Sequence, residues 1–175
     1  MIRHRRRLLL AGLAGFAFGA SAQSRLAPSR ALKLYHSHTG ERLAITYFDN
    51  GSYLPEAIVE IERLLRDFRT GEIHAIDPDL LDTLHALADE CAGSGTFEVI
   101  SGYRSATTNA QLQATTEGIA TNSLHLSGRA VDVRMSGFDT SRLRDVALGL
   151  ARGGVGYYAQ SDFIHLDTGR VRSWS

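Results

Sequence analysis

The sequence predicts an α+β fold, in which helices flank a small, mainly antiparallel sheet. Apolar residues recur at helical spacing in two long segments, and six short β-prone runs are spread along the chain. The helices precede and interrupt those runs. The first residues of the 175-residue chain are of another kind. Arg3, Arg5, Arg6 and Arg7 form a positive stretch, Leu8 to Ala20 is apolar, and Ala20-Ser21-Ala22 offers a small-x-small cleavage pattern. Residues 1–22 are therefore expected to be a signal peptide. Arg5-Arg6-Arg7-Leu8-Leu9 resembles the twin-arginine type, an address and not an anchor. The apolar run falls short of the ~20 residues that a spanning helix needs. No Cys follows the cleavage pattern, which argues against a lipid anchor.

Residues 23–30 are polar, contain a Pro and read as a flexible leader to a domain over 31–175. Ala31 to Ser37 and Arg42 to Phe48 flank Thr39-Gly40-Glu41 as a hairpin, followed by a turn at Asp49-Asn50-Gly51-Ser52. Leu54 to Phe68 places Ile58, Ile61, Leu64, Leu65 and Phe68 at helical spacing, with Pro55 in the first turn. Asp77 is a natural cap for a second helix that starts at Pro78, carries Leu80, Leu81, Leu84 and Leu87, and stops at Gly93-Ser94-Gly95. Thr96 to Ile100 is a strand, Ser101 to Arg104 a loop, and Thr107 to Thr116 a third helix. Arg129 to Met135 is a strand, Asp139 caps a fourth helix through Leu150, and Val155–Tyr158 and Phe163–Asp167 close the sheet.

Cleavage after Ala22 would leave 153 residues, enough for one core, with fifteen basic residues against nineteen acidic ones and a charge of −4. Such a chain has no electrostatic reason to bind nucleic acid or anionic lipid. Cys91 is the only cysteine, so no internal disulfide forms, and its place at a helix end suits an inert, half-buried thiol.

The chemistry concentrates in Ser123-Leu124-His125-Leu126-Ser127-Gly128-Arg129-Ala130-Val131-Asp132. Gly128 suggests a turn between a loop His125 and a strand Asp132. Alternation puts Ala130, Asp132 and Arg134 on one face, with Val131 and Val133 on the core face. In the last strand Ile164 and Leu166 take the core face, leaving Phe163, His165 and Asp167 on the other. If the two strands are neighbours, Asp132 and His165 have β-carbons about 4.5–5.5 Å apart. That separation suits two ligands each reaching about 2.0–2.2 Å to one zinc ion, with His125 as the third. Three protein ligands leave one position open, the pattern of a catalytic rather than a structural zinc site. His36 and His38 share a face of the first strand and are expected to face solvent, but they are also the candidates for a fourth ligand in a structural-zinc reading. His74 and His85 have no partner at useful spacing. Tyr157 and Tyr158 either line a cleft or simply pack, and Trp174 pins the tail.

These segments resemble a known family. S-x-H-x-x-G-x-A-x-D over Ser123 to Asp132, preceded by Ser101-Gly102-Tyr103-Arg104-Ser105 and followed by Asp162-x-x-His165, is similar to the M15 zinc peptidases that act on peptidoglycan. Gly153 to Trp174 resembles their murein endopeptidase K branch more closely, and the resemblance extends over about residues 31–175. It implies the fold shared by hedgehog domains and D-Ala-D-Ala peptidases. It implies one zinc ion per chain on His125, Asp132 and His165, and a general base at Asp162. Positions 162 and 165 face opposite ways in a regular strand, so Asp162 reaches the metal only if the strand begins at Phe163 or is bulged there. Asp167 is the competing base, or an outer acceptor that orients an imidazole.

Arg104 matches the family's arginine, suited to a substrate carboxylate or an oxyanion, with Ser101 and Tyr103 of the same motif as substrate-binding residues. Capping a helix or bridging to Asp145 are its plainer roles. The expected activity is hydrolysis of peptidoglycan cross-links in the cell envelope. A zinc-binding but catalytically silent module, as in hedgehog, and a D-Ala-D-Ala carboxypeptidase are the alternatives. Nothing in the sequence bears on oligomeric state.

Overall fold

The β-prone runs are short and separated by turns, so each must find its hydrogen-bond partners in another run. They do so in one sheet. In the computed structural model, which describes residues 28–92, 95–115 and 120–175, β1 (Arg30–His36), β2 (Arg42–Asp49) and β3 (Ser52–Tyr53) form an antiparallel meander. The expected signal peptide over 1–22 and most of the leader lie outside the described residues. Helices α1 (Pro55–Leu64) and α2 (Pro78–Glu90) follow, each with Pro in its first turn. The Asp77 side chain accepts from Asp79 N to cap α2. Next come β4 (Phe97–Ser101), α3 (Ala106–Thr115), a short 3-10 turn over Leu124–Ser127, and β5 (Ala130–Met135). Helix α4 (Thr140–Leu150), capped by Asp139, leads into β6 (Gly154–Tyr158), β7 (Phe163–Asp167) and β8 (Arg172–Trp174).

The eight strands lie in the order β3-β2-β1-β4-β5-β7-β6-β8. All neighbours are antiparallel except two pairs, β1 with β4 and β6 with β8. The α+β, mainly antiparallel expectation therefore holds, with a wider sheet than the apolar runs suggest. Strands β3 and β8 are too short to show alternation and are recognisable only by their pairing. One face of the sheet, carrying Leu32, Leu34, Phe97, Val99, Val131, Val133, Ile164 and Leu166, is buried against α1, α2 and α4. The opposite face is left for chemistry. No helix among the described residues is long and apolar enough to cross a membrane.

Two expectations are corrected. Helix α1 stops at Leu64 rather than running to Phe68, because Asp67 turns the chain. Its buried carboxylate accepts from the backbone N–H of Arg69 and, across the fold, of Ser105. The histidines of the first strand do not share a solvent face. His36 is fully buried, and burial pushes its pKa down to about 4. His38 lies beyond the strand and stacks on Phe68 at 4.2 Å.

Burial pushes the Asp67 carboxyl up, but the donors around it prevail and hold its pKa at about 2. The stability its ionisation contributes is present above the unfolded value near ~3.8 and lost as pH falls through about 2. Asp67→Asn is expected to cost about 2–3 kcal/mol, the scale of buried hydrogen bonds to a charged acceptor. In thermal unfolding at pH 7 that is a drop of roughly 4–12 °C for a domain of this size. A melting point equal to wild type would show that Asp67 does not anchor the loop that carries Arg104.

Candidate metal centre

Strand pairing assembles the site. Asp132 of β5 stands opposite His165 of β7 in the antiparallel register, and Ser101 of β4 flanks Asp132 on the other side. His125 comes from the 3-10 turn that ends at Gly128 with φ 66°. A Cβ on Gly128 would lie 2.0 Å from the Ala75 carbonyl oxygen, so the turn needs glycine for both its backbone angle and its clearance. Arg104 N donates to the His125 carbonyl at 3.1 Å, and the Ser101–Ser105 loop thereby wraps the turn.

Three atoms converge. His165 Nδ1 is 2.9 Å from Asp132 Oδ1, His125 Nε2 is 3.3 Å from the same oxygen, and the two nitrogens are 3.2 Å apart. The other nitrogen of each ring is committed. His125 Nδ1 lies 2.7 Å from the Gly102 carbonyl oxygen, and His165 Nε2 lies 3.0 Å from Asp167 Oδ2. Both partners are acceptors, so with a cation in the group these outer nitrogens would carry the protons and the neutral rings would turn lone pairs inward. Two lone pairs and a carboxylate oxygen at such separations repel one another unless a cation lies among them. Points so spaced can all lie about 2.0–2.2 Å from one centre, the ligand distances of zinc with imidazole and carboxylate. The donor set therefore fits a metal, and His125, Asp132 and His165 form the metal-competent group found among the described residues. Neither His36 nor His38 joins it, so a closed four-ligand structural site is not formed there.

The charges point the same way. Burial pushes the Asp132 carboxyl up, but the two imidazoles beside it hold it far below the usual range. Burial alone would lower His165; Asp132 and Asp167 outweigh it and raise the pKa to about 9, a proton standing where a cation is wanted. Asp167 lies on the outer side of His165, against Nε2. Its carboxylate is buried and also accepts from Gly154 N, Gly169 N and both terminal nitrogens of Arg172. A carboxylate so fully paired is suited to orienting His165 rather than to moving protons.

The remaining expected residues divide. Arg104 is buried at the group, with Nη2 3.8 Å from Asp132 Oδ2 and Nη1 3.4 Å from Asn109 Oδ1. Its Nε has no hydrogen-bond partner among the described residues. The plainer bridge to Asp145 is absent, since Asp145 pairs with Arg144. Tyr103 stacks on His74 at 4.6 Å and packs against the core, which gives His74 the partner its spacing did not suggest. Asp162 adopts a left-handed turn with φ 52°, immediately before β7 begins at Phe163. Its carboxylate accepts from Thr140 Oγ1 at 2.6 Å and lies 3.6 Å from Arg134 Nη1. Sequence reasoning missed the Gly102 carbonyl, Asn109 and Asp67; the first is backbone, and the other two carry no motif.

A family model described as peptidoglycan L,D-endopeptidase MepK matches residues 24–174. The peptidoglycan L,D-endopeptidase MepK of Escherichia coli (strain K12) is 38% identical over 178 residues, covering 98% of this chain and 97% of the relative. The protein of that name from Shigella flexneri matches to the same extent. A probable peptidoglycan L,D-endopeptidase MepK of Haemophilus influenzae is 38% identical over 146 residues, covering 83% of this chain and 78% of the relative.

Proposed function

The chain belongs to the M15-type peptidoglycan L,D-endopeptidase MepK family, and on that premise we propose that it is a zinc-dependent enzyme hydrolysing L,D peptide bonds in peptidoglycan cross-links. The observation that carries the reading is the convergence of His125 Nε2, His165 Nδ1 and Asp132 Oδ1 beside a buried arginine whose Nε has no hydrogen-bond partner among the described residues. His125, Asp132 and His165 would hold one zinc ion, which supplies Lewis acidity and lowers the pKa of water towards about 7. Residues 31–175 are the catalytic domain, residues 1–22 the export signal, and the cell envelope the place of action.

The chain's own groups supply the rest. Asp167 and the Gly102 carbonyl keep the two imidazoles in the tautomers that face inward. Arg104, a permanent forked cation beside Asp132, directs its donors at charge developing on the scissile carbonyl oxygen. Ser101, opposite Asp132, and Tyr103, on the same loop, border the substrate's path.

Proton transfer falls to Asp162. Arg134 leaves β5 on the face of Asp132 and lies 3.6 Å from Asp162 Oδ2, a contact that supports a place for this carboxylate toward the metal side of the sheet. The side chain is 63% exposed, unlike that of Asp167. Releasing the Thr140 hydroxyl frees the second oxygen to take a proton from water and pass it to the leaving amine. Asp162→Asn is expected to keep the metal and to lower turnover by about 10²–10⁴-fold. Turnover within threefold of wild type would leave Asp162 as a turn residue only, a role in which Asn substitutes freely.

The reading is tested by digesting purified murein with the chain from residue 23 onward, with and without chelator, and weighing the released muropeptides. Chelator-sensitive conversion of dimers to monomers supports it, and the monomer masses name the bond. Stoichiometric zinc with every stem and cross-link intact would favour the silent binding module, and release of D-Ala alone the carboxypeptidase.

A further inference from the structure

On the metal side of the sheet, the edge formed by β6 and β8 leaves two large aromatic side chains open beside the ligands. Trp174 is 36% exposed and Tyr158 is 41% exposed. Trp174 stands opposite Gly156, and Gly156 stands opposite His165, so the indole is one strand beyond a metal ligand. It lies across the glycine, where a Cβ would come within 2.6 Å of the ring, and its centroid is 5.2 Å from that of His165. The position is fixed from several sides. Trp174 Nε1–H donates to the Tyr158 hydroxyl at 3.1 Å, Tyr158 stacks on Phe163 at 4.7 Å, and the Arg172 guanidinium sits 4.9 Å from the indole centroid. An aromatic pair merely closing a sheet edge would be expected to turn its surface into the body. This one is cross-braced by its own hydrogen bond with part of its surface outward, beside the metal-competent group.

We infer that Trp174, braced by Tyr158, is the substrate-facing wall of the metal site, covering the aliphatic methylenes of the stem-peptide residue next to the scissile bond. The inference rests on the peptidase reading and adds to it the residue that sets the fit on the β8 side. A half-open indole offers apolar area at little conformational cost, because its rotamer is already locked. The Tyr158 oxygen accepts from Trp174, which leaves its own O–H free to donate to a peptide carbonyl of the bound segment. Gly156 is required for the arrangement, since any side chain there would lift the indole off the strand.

Trp174 is the only tryptophan in the chain, so its emission reports on this wall alone. A purified cross-linked muropeptide dimer is titrated into the chelated protein, where it is not cut. A saturable change in emission is expected; no change at concentrations that saturate wild-type turnover overturns the proposal. With the metal-loaded protein, Trp174→Ala is expected to lower kcat/KM for that dimer roughly tenfold or more, mainly through KM, and Trp174→Phe to restore most of it. Zinc stoichiometry and affinity should stay within threefold of wild type. Wild-type KM and kcat in Trp174→Ala, or loss of zinc in parallel with activity, would also overturn it, the second reducing Trp174 to packing for His165. If the wild type cuts no muropeptide, the peptidase reading fails by itself. The emission titration then decides alone whether the wall binds a stem peptide.

Discussion

Asp132→Ala is expected to abolish metal binding and turnover together while leaving a folded protein. Asp132 Oδ1 lies 2.9 Å from His165 Nδ1 and 3.3 Å from His125 Nε2, and it carries the charge that draws a cation between them. Without it, two imidazole nitrogens 3.2 Å apart face each other with nothing to offset their repulsion. Asp167→Ala should show a graded version. It removes only the acceptor of His165 Nε2–H, and loss of such an outer partner costs about 10–100-fold in metal affinity. Asp132→Ala should lose more than that upper figure, read as zinc retained after dialysis, with circular dichroism to confirm folding. Stoichiometric zinc at wild-type affinity in Asp132→Ala would sink the three-ligand assignment.

The same group makes the metal-free protein sensitive to pH in a definite sense. His165 has its folded pKa raised to about 9, so the stability its proton contributes is fully present below the unfolded value near ~6.5. That contribution is lost as pH rises through about 9. The chelated protein should therefore melt at progressively lower temperature between those limits, and zinc should remove the trend by taking the proton's place.

Arg104→Ala is the second large effect, an expected fall in kcat of about 10²–10³-fold, the scale of losing one preorganised donor to an oxyanion. Arg104 is buried at 8% exposure, yet among the described residues its donors are poorly used: 3.8 Å to Asp132, 3.4 Å to Asn109, and none at Nε. A guanidinium whose only task was to neutralise Asp132 would be expected to close to a paired, bidentate contact. Donors left open beside a metal-competent group are suited to a substrate. Arg104→Lys keeps the charge without the fork and should fall between wild type and Ala. Steady-state kinetics with parallel zinc analysis separates the cases. Loss of zinc in Arg104→Ala would make the arginine a support for Asp132, and unchanged kcat would remove it from the chemistry.

Much of this was legible in the chain because the relevant signals are local. The alternation Ala130-Val131-Asp132-Val133 places the carboxylate opposite the core, Ile164-His165-Leu166 does the same for the imidazole, and Gly128 marks the turn that brings in His125. Asp77 and Asp139 start their helices where their side chains reach the free N–H groups of the next turn. Where reading failed, a distant partner decided. The helical spacing of Leu54 to Phe68 gives no sign that Asp67 must cap Ser105 N, 38 residues away. His36 looked solvent-facing because alternation places it on a face without saying which face is covered. It lies on the buried face with Leu32 and Leu34, beside β4, and its ring packs edge-on against Phe68.

By itself, then, the sequence determined the α+β class, the longer elements, and which three side chains are available to a metal. Periodicity, capping and motif spacing depend on neighbours a few residues apart. Only the tertiary structure decided that Asp132 meets His165, that the buried Asp167 carboxylate meets the outer nitrogen of His165, and that Trp174 stands over Gly156. Those facts are strand registers and buried hydrogen bonds between segments remote in the chain, and a register is chosen by the whole sheet closing over its core.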